Sequence, residues 1–220
     1  MGGAAAVTLR SLLRRGDDPF DQPWRTVDYL VVDLETTGLD LRRDAIASYG
    51  ATVIQNGRMI AAHNVYGLVR PDCALSPASI TVHNLRPADL ADAPPLSEAV
   101  DTLDALLADR VLIAHAAWIE QSFLARAFKA HGKRLRCKII DTAAMARAAD
   151  LGAAHPGGEP NLERLATQLR LPVDSPHHAL GDAITTAQVF LALAARLARH
   201  GHETARSFID LTAADSPRRR

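Results

Sequence analysis

The run "YLVVDLETTG", Tyr29 to Gly38, constrains this chain more than any other stretch, because it sets two carboxylates at the end of an unbroken apolar segment. Val27 and Tyr29 to Val32 have the β-branched and aromatic content of a central strand, and Thr-Thr-Gly marks its end. Strand side chains alternate between faces, so Asp33 and Glu35 point the same way. Two neighbouring anions repel and are costly to desolvate unless a cation lies between them. The pattern predicts a divalent-metal site. A strand that stopped at Val32 would instead leave both carboxylates in a solvated loop, so acidic residues elsewhere must decide.

Two further strands are expected at Ile46 to Gln55 and Met59 to Val69, around Asn56-Gly57, a strong hairpin signal. A Pro-containing segment, Pro71 to Pro95, leads to an amphipathic helix with Leu96, Val100, Leu103, Leu106 and Leu107 on one side. "RVLIAH" and "CKIIDT" read as short strands separated by a helix from Trp118 to His131, which Gly132 ends. Helices around Ala143 to Ala149, Asn161 to Leu169 and Leu180 to Arg199 follow. Three strands in a meander, then alternating helices and strands, predict an α/β fold with a mixed sheet covered on both faces. Residues 1–26 read as an N-terminal extension, 27–200 as the domain and 201–220 as a C-terminal tail. Leu9, Leu12 and Leu13 would form a short helix face in the extension.

Lys plus Arg and Asp plus Glu number 25 each, so no global field advertises a polyanionic partner. A metal-bridged site can still hold phosphate without a basic shell. The two cysteines, Cys73 and Cys137, have neither pairing nor metal-ligand spacing, and a reduced cytoplasmic protein is expected. No secretion, lipid or transmembrane signal is visible, so no membrane partner is expected.

Three more clusters join the opening pair: "LIAHAAWIEQSFL" with His115 and Glu120, "IIDT" with Asp141, and "HHALGDA" with His177, His178 and Asp182. With them the chain resembles the DEDDh 3′-5′ exonuclease superfamily, which includes the proofreading epsilon subunit of bacterial DNA polymerase III, ribonuclease T and oligoribonuclease. The family's first motif stands as "DLETTG" and its third, His-x4-Asp, as "HHALGD". His177, five residues before Asp182, has the family spacing. The second motif departs from "AHNAxFD": here it reads "AHAAWIE", with Ala116, Ile119 and Glu120 for Asn, Phe and Asp. Glu keeps the charge but adds a methylene, and Mg²⁺ geometry is strict.

The resemblance implies a ribonuclease H-like five-stranded sheet, a three-strand antiparallel meander plus two parallel strands flanked by helices. It implies two Mg²⁺ or Mn²⁺ ions held by Asp33, Glu35 and Asp182, with Asp33 bridging and Glu120 acting directly or through water. His177 would accept the proton of the attacking water, and 5′-mononucleotides would leave from a single-stranded 3′ end. The family pattern also points to Thr36, Thr37, Gly38, Leu39, His83 and His115 at the terminal nucleotide. For Leu39 ordinary packing is an equal reading, as is a loop or helix-start role for His83. Asp141 would cap the next helix. DNA is favoured over RNA as partner, with a DNA polymerase or a second copy of the chain as a further one. An exoribonuclease or short-oligonucleotide exonuclease is the alternative within the enzyme class. Ala116 and Glu120 motivate a different class, a nucleic-acid-binding module with an impaired site. The basic run "KAHGKRLRCK", Lys129 to Lys138, reads first as cations at a helix C-terminus and second as a track for a nucleic-acid backbone.

Overall fold

The computed structural model describes residues 18–151 and 160–215. The leucines near the N-terminus, most of the loop after Leu151 and the Arg tail lie outside the described residues. Strand β1 (Tyr29–Thr36) runs through both carboxylates, so the solvated-loop alternative fails. It lies at the centre of the sheet, where Tyr29, Leu30 and Val31 are fully buried. A strand covered on both faces reads as a continuous apolar run, as this one does.

Strands β2 (Ile46–Gln55) and β3 (Arg58–Leu68) form the expected hairpin. Asn56 and Gly57 turn between them at φ 51° and 66°, the left-handed pair a two-residue connection needs. Strands β4 (Val111–Ala114) and β5 (Ile139–Asp141) add parallel to β1, giving the order β3-β2-β1-β4-β5. The first three strands pair antiparallel, so the mixed five-stranded sheet is as predicted. β3 is an edge and carries Arg58 and His63 into solvent, which discourages further pairing.

The segment from Pro71 to Pro95 is not merely a connection: it contains helices α1 (Pro77–His83) and α2 (Pro87–Leu90). Each begins with proline, whose fixed φ suits the first helical position and whose missing N–H is not needed there. Ser76 caps α1 through its hydroxyl, and Asn84, at φ 59°, ends it.

Helices α3 (Leu96–Leu107) and α4 (Trp118–Ala130) pack Val100, Leu103, Phe123 and Phe128 on Leu30, Val32 and Leu112. On the other face lie α5 (Thr142–Ala148), α6 (Leu162–Gln168), α7 (Ala179–Ala198) and α8 (Ala205–Asp215). There Phe190 of α7 packs on Tyr29 in a tilted pair with centroids 4.9 Å apart and meets Trp24 and Phe208 edge-on. Among the described helices α7 has the length and hydropathy, 1.2, of a membrane span, but 56% of that stretch is buried here as the central core helix.

The described parts of both flanking segments pack into the core. Trp24, from the supposed extension, is 3% exposed and its carbonyl accepts the Tyr29 hydroxyl at 2.6 Å. Residues 205–215, read as tail, form α8, which buries Ala205, Phe208 and Ile209. The two segments hold each other: Trp24 N–H donates to Glu203 O at 3.0 Å, and Arg206 pairs with Asp18 and Asp21. An apolar periodicity this short is legible as core only once its partner surface is known.

Candidate active site

Asp33 and Glu35 share the face of β1 that carries Tyr29 and Val31, the face on which α7 lies. Asp182 stands in the first turn of α7. One carboxylate oxygen from each of Asp33, Glu35 and Asp182 lies within 4.8 Å of the others. Gly50 makes this meeting geometrically possible. It pairs with Asp33 across the sheet, and a Cβ there would lie 2.2 Å from the Ala179 carbonyl carbon and the Leu180 nitrogen. The helix therefore rests its first turn directly on the β2 backbone. The sequence reading missed this residue, although a glycine inside a strand is itself a signal of close backbone approach.

The carboxylates are destabilised as they stand. Burial pushes Asp33 well above the ordinary carboxylate range, and the charges of Glu120, Asp182 and Glu35 push it further. Burial, then Asp182, takes Glu35 up to about 8. Burial takes Asp182 to about 6, restrained by the N–H of His177, which donates to its Oδ2 at 3.0 Å. Glu120 opens α4, is 4% exposed, and is pushed up to about 8 by burial, with Asp141 and Glu35 adding to it. Its Oε2 is buried without a hydrogen-bond partner. Glu120 thus belongs electrostatically to the cluster but stands outside the oxygen trio. Hard, crowded oxygen donors with one left unsatisfied fit a divalent cation.

His177 is also placed by backbone conformation. At φ 58° it turns its N–H onto Asp182, while its exposed ring lies with Nε2 3.4 Å from Glu163 Oε1. Glu163, in the first turn of α6, carries no sequence signal that would have linked it to His177. His178 stacks on Tyr66 of β3 at 4.3 Å.

The second tier divides. Leu39, in the loop that follows β1, is 66% exposed, so it is not ordinary packing. Thr36 donates to Gly38 O at 2.8 Å, and Thr37 donates to Asp44 while accepting from Ala45 N, so both hydroxyls stiffen the loop. A Cβ at Gly38 would lie 2.4 Å from the Asp44 carboxylate, so a side chain there would displace the acceptor of the Thr37 hydroxyl. His83 is buried: its Nδ1 accepts from Leu85 N at 3.0 Å, leaving Nε2–H to donate to Thr36 O at 3.2 Å. His115 engages Thr142 at 2.9 Å and the Pro160 carbonyl at 2.6 Å. In both histidines each ring nitrogen has a protein partner, so both form internal clamps. Asp141 caps α5 as expected, accepting from Ala143 N at 2.8 Å and also from Ala116 N at 3.0 Å.

The Ala116 departure has a physical cost. Its φ is 52°, a conformation that costs an alanine about 1–2 kcal/mol and that Asn tolerates. Ala116→Asn is expected to stabilise the protein by about 1 kcal/mol, seen as a higher urea midpoint at unchanged slope. An unchanged or lower midpoint would show that the backbone there is not strained.

The chain matches the RNase T family model, described as exonuclease, over residues 30–190. It is 33% identical over 198 residues to the DNA polymerase III subunit epsilon-like protein of Rhodobacter capsulatus, a match covering 88% of this chain and 28% of that protein. With the DNA polymerase III subunit epsilon of Treponema pallidum it shares 30% identity over 178 residues, covering 80% of this chain and 81% of that one. It thus spans a minor part of the first relative and most of the second. Among solved structures, Exonuclease X in complex with 5′ overhanging duplex DNA aligns with a TM-score of 0.64 at 23% identity, covering 84% of this chain and 99% of that one. E. coli Exonuclease I in complex with a dT13 oligonucleotide aligns at 0.70 and 14% identity, covering 80% and 42%. At such identities these two show likeness of fold.

Proposed function

Since the chain belongs to the RNase T exonuclease family, we propose that it is a metal-dependent 3′-5′ exonuclease releasing 5′-mononucleotides from single-stranded 3′ ends, with DNA preferred over RNA. The observation that carries this reading is the trio Asp33, Glu35 and Asp182, whose oxygens converge within 4.8 Å across β1 and α7. A nucleic-acid-binding module would gain nothing from clustered carboxylates that repel phosphate. The orphaned oxygen of Glu120, coupled to the same cluster, supports a working second motif despite the longer side chain.

Asp33, Glu35 and Asp182 would hold two Mg²⁺ or Mn²⁺ ions, with Glu120 beside them. Bound, such cations supply positive charge for the phosphate and for the oxygens whose charge changes as the bond breaks. The protein's own part follows from its side chains. His177 takes the proton of the attacking water; with Nε2 turned to Glu163, Nδ1 is the ring atom left to accept it. Glu163 then stabilises the imidazolium. The His177 N–H holds Asp182 in register with Asp33. Leu39, exposed in the loop that follows β1, offers an apolar face to the terminal base. The clamps through His83 and Thr37 keep that loop fixed.

The DNA preference is supported by relatives that are DNA polymerase III epsilon subunits and by structural neighbours bound to DNA. The same relatives support a polymerase partner. The two free thiols, Cys73 and Cys137, suit a reducing cytoplasm. Digestion of end-labelled DNA and RNA single strands in Mg²⁺, Mn²⁺ and EDTA tests the proposal. Expected is stepwise mononucleotide release with either metal, none in EDTA, and faster release from DNA. Faster release from RNA would replace the substrate, and no release with any metal would overturn the enzyme.

A further inference from the structure

A concavity of about 260 Å³ lies between the start of α4, the chain entering β5, and α8. It is lined by Trp118, Gln121, Cys137, Lys138, Arg147 and Asp215 among others. Trp118 is 37% exposed, a large apolar side chain left in water. It precedes Glu120 by two residues on one helix, and 3.6 residues per turn set the two roughly 200° apart. Trp118 therefore faces away from the carboxylate cluster.

The adjoining segment presents cations in a regular way. Arg134, Arg136 and Lys138 are exposed while Leu135 and Cys137 pack inward on the core, the alternation of an extended chain. Side chains two apart on such a chain are spaced by roughly 6.5–7 Å. Lys133 is neutralised by Asp101 at 2.7 Å and Asp104 at 2.8 Å. Arg134, Arg136 and Lys138, by contrast, make no ion pair among the described residues. Of the carboxylates lining the concavity, Asp215 is paired with Arg147, accepting from its Nε at 2.9 Å, and Asp141 accepts two backbone N–H groups. The helix-dipole reading of this basic run thus holds for Lys129, in the last turn of α4, but not for Arg134, Arg136 and Lys138, of which Lys138 lines the cavity.

An exposed indole beside a row of free cations is the arrangement that binds single strands without reading sequence: bases stack on the ring and phosphates meet the cations. We propose that this concavity is a second nucleotide subsite, in which an upstream base of the single strand stacks on Trp118 while Arg136 and Lys138 hold its flanking phosphates. The proposal rests on the exonuclease reading for its substrate, and it explains how the enzyme would favour longer strands over very short ones.

The test compares wild type, Trp118→Ala, Trp118→Phe and the double variant Arg136→Ala/Lys138→Ala on oligothymidylates of increasing length with Mn²⁺. The ratio of kcat/KM for a dodecamer to that for a dinucleotide is expected to fall about tenfold in Trp118→Ala and to be largely kept in Trp118→Phe. The double variant should flatten the salt dependence of KM for the dodecamer by about 0.7 for each phosphate that is no longer neutralised. Length preference and salt slope unchanged in every variant, with wild type active, would overturn the subsite alone. Should wild type release nothing, the exonuclease reading fails, and the fluorescence of Trp118 decides the subsite separately. Quenching by the dodecamer that weakens in the double variant supports it; no quenching overturns it.

Discussion

Asp33→Asn is expected to lower mononucleotide release at least a thousandfold, about 4 kcal/mol of barrier, while making the metal-free protein more stable at alkaline pH. Both effects have one cause. Asp33 is the carboxylate whose charge is least welcome in the folded chain: burial, then Glu120, Asp182 and Glu35, all raise its pKa. Above the unfolded pKa values the unfolded chain has released its protons, whereas the folded cluster still holds some. The stability that protonation contributes is therefore full below about pH 4. It is lost as pH rises through Asp182's value near 6 and those of Glu35 and Glu120 near 8. In EDTA the wild-type melting temperature should fall across that window, and Mn²⁺ should restore it by favouring the ionised forms. Asn in place of Asp33 removes one of the mutually repelling charges, so the fall is shallower and the restoration by Mn²⁺ smaller. Calorimetric scans between pH 5 and 8.5, with and without Mn²⁺, read both. A melting temperature in EDTA that rises with pH, or that ignores Mn²⁺, would remove the metal cluster from this account.

Gly50→Ala should cost roughly 1–3 kcal/mol of stability through overpacking and about a hundredfold in rate through misplacement, though Gly50 carries no reactive group. The added methyl would lie 2.2–2.3 Å from backbone atoms of Ala179 and Leu180, and backbone cannot rotate out of the way. The first turn of α7 must lift, and Asp182 lifts with it, away from Asp33, the partner of Gly50 across the sheet. Measured well below its melting temperature, the variant should be folded by circular dichroism yet show a weakened stabilisation by Mn²⁺. A folded variant with normal rate and normal response to Mn²⁺ would show that something other than this contact seats the helix.

The strand, the hairpin and the carboxylate pair were legible because each is a local consequence of residue order. A period of two puts Asp33 and Glu35 on one face wherever the strand lies, and Asn56-Gly57 turns because those residues accept positive φ. The spacing of His177 and Asp182 was likewise legible, and the N–H of one does reach the carboxylate of the other. The histidines show where local reasoning stops. The motif marks His83 and His115 as candidates, but it does not foretell that their nitrogens bond to Thr36, 47 residues away, and to Pro160, 45 residues away. The same holds for α8 and Trp24, whose core positions depend on each other and on Phe190.

The sequence by itself determined which groups this protein can offer to a cation and which face of β1 presents them, since backbone geometry alone decides both. Only the tertiary structure decided that Asp182 meets that face at Gly50, that Glu120 is left with an unsatisfied buried oxygen, and that Glu163 rather than a carboxylate of the cluster holds the His177 ring. Those outcomes depend on contacts between residues far apart in the chain, where burial and the proximity of like charges set the energies.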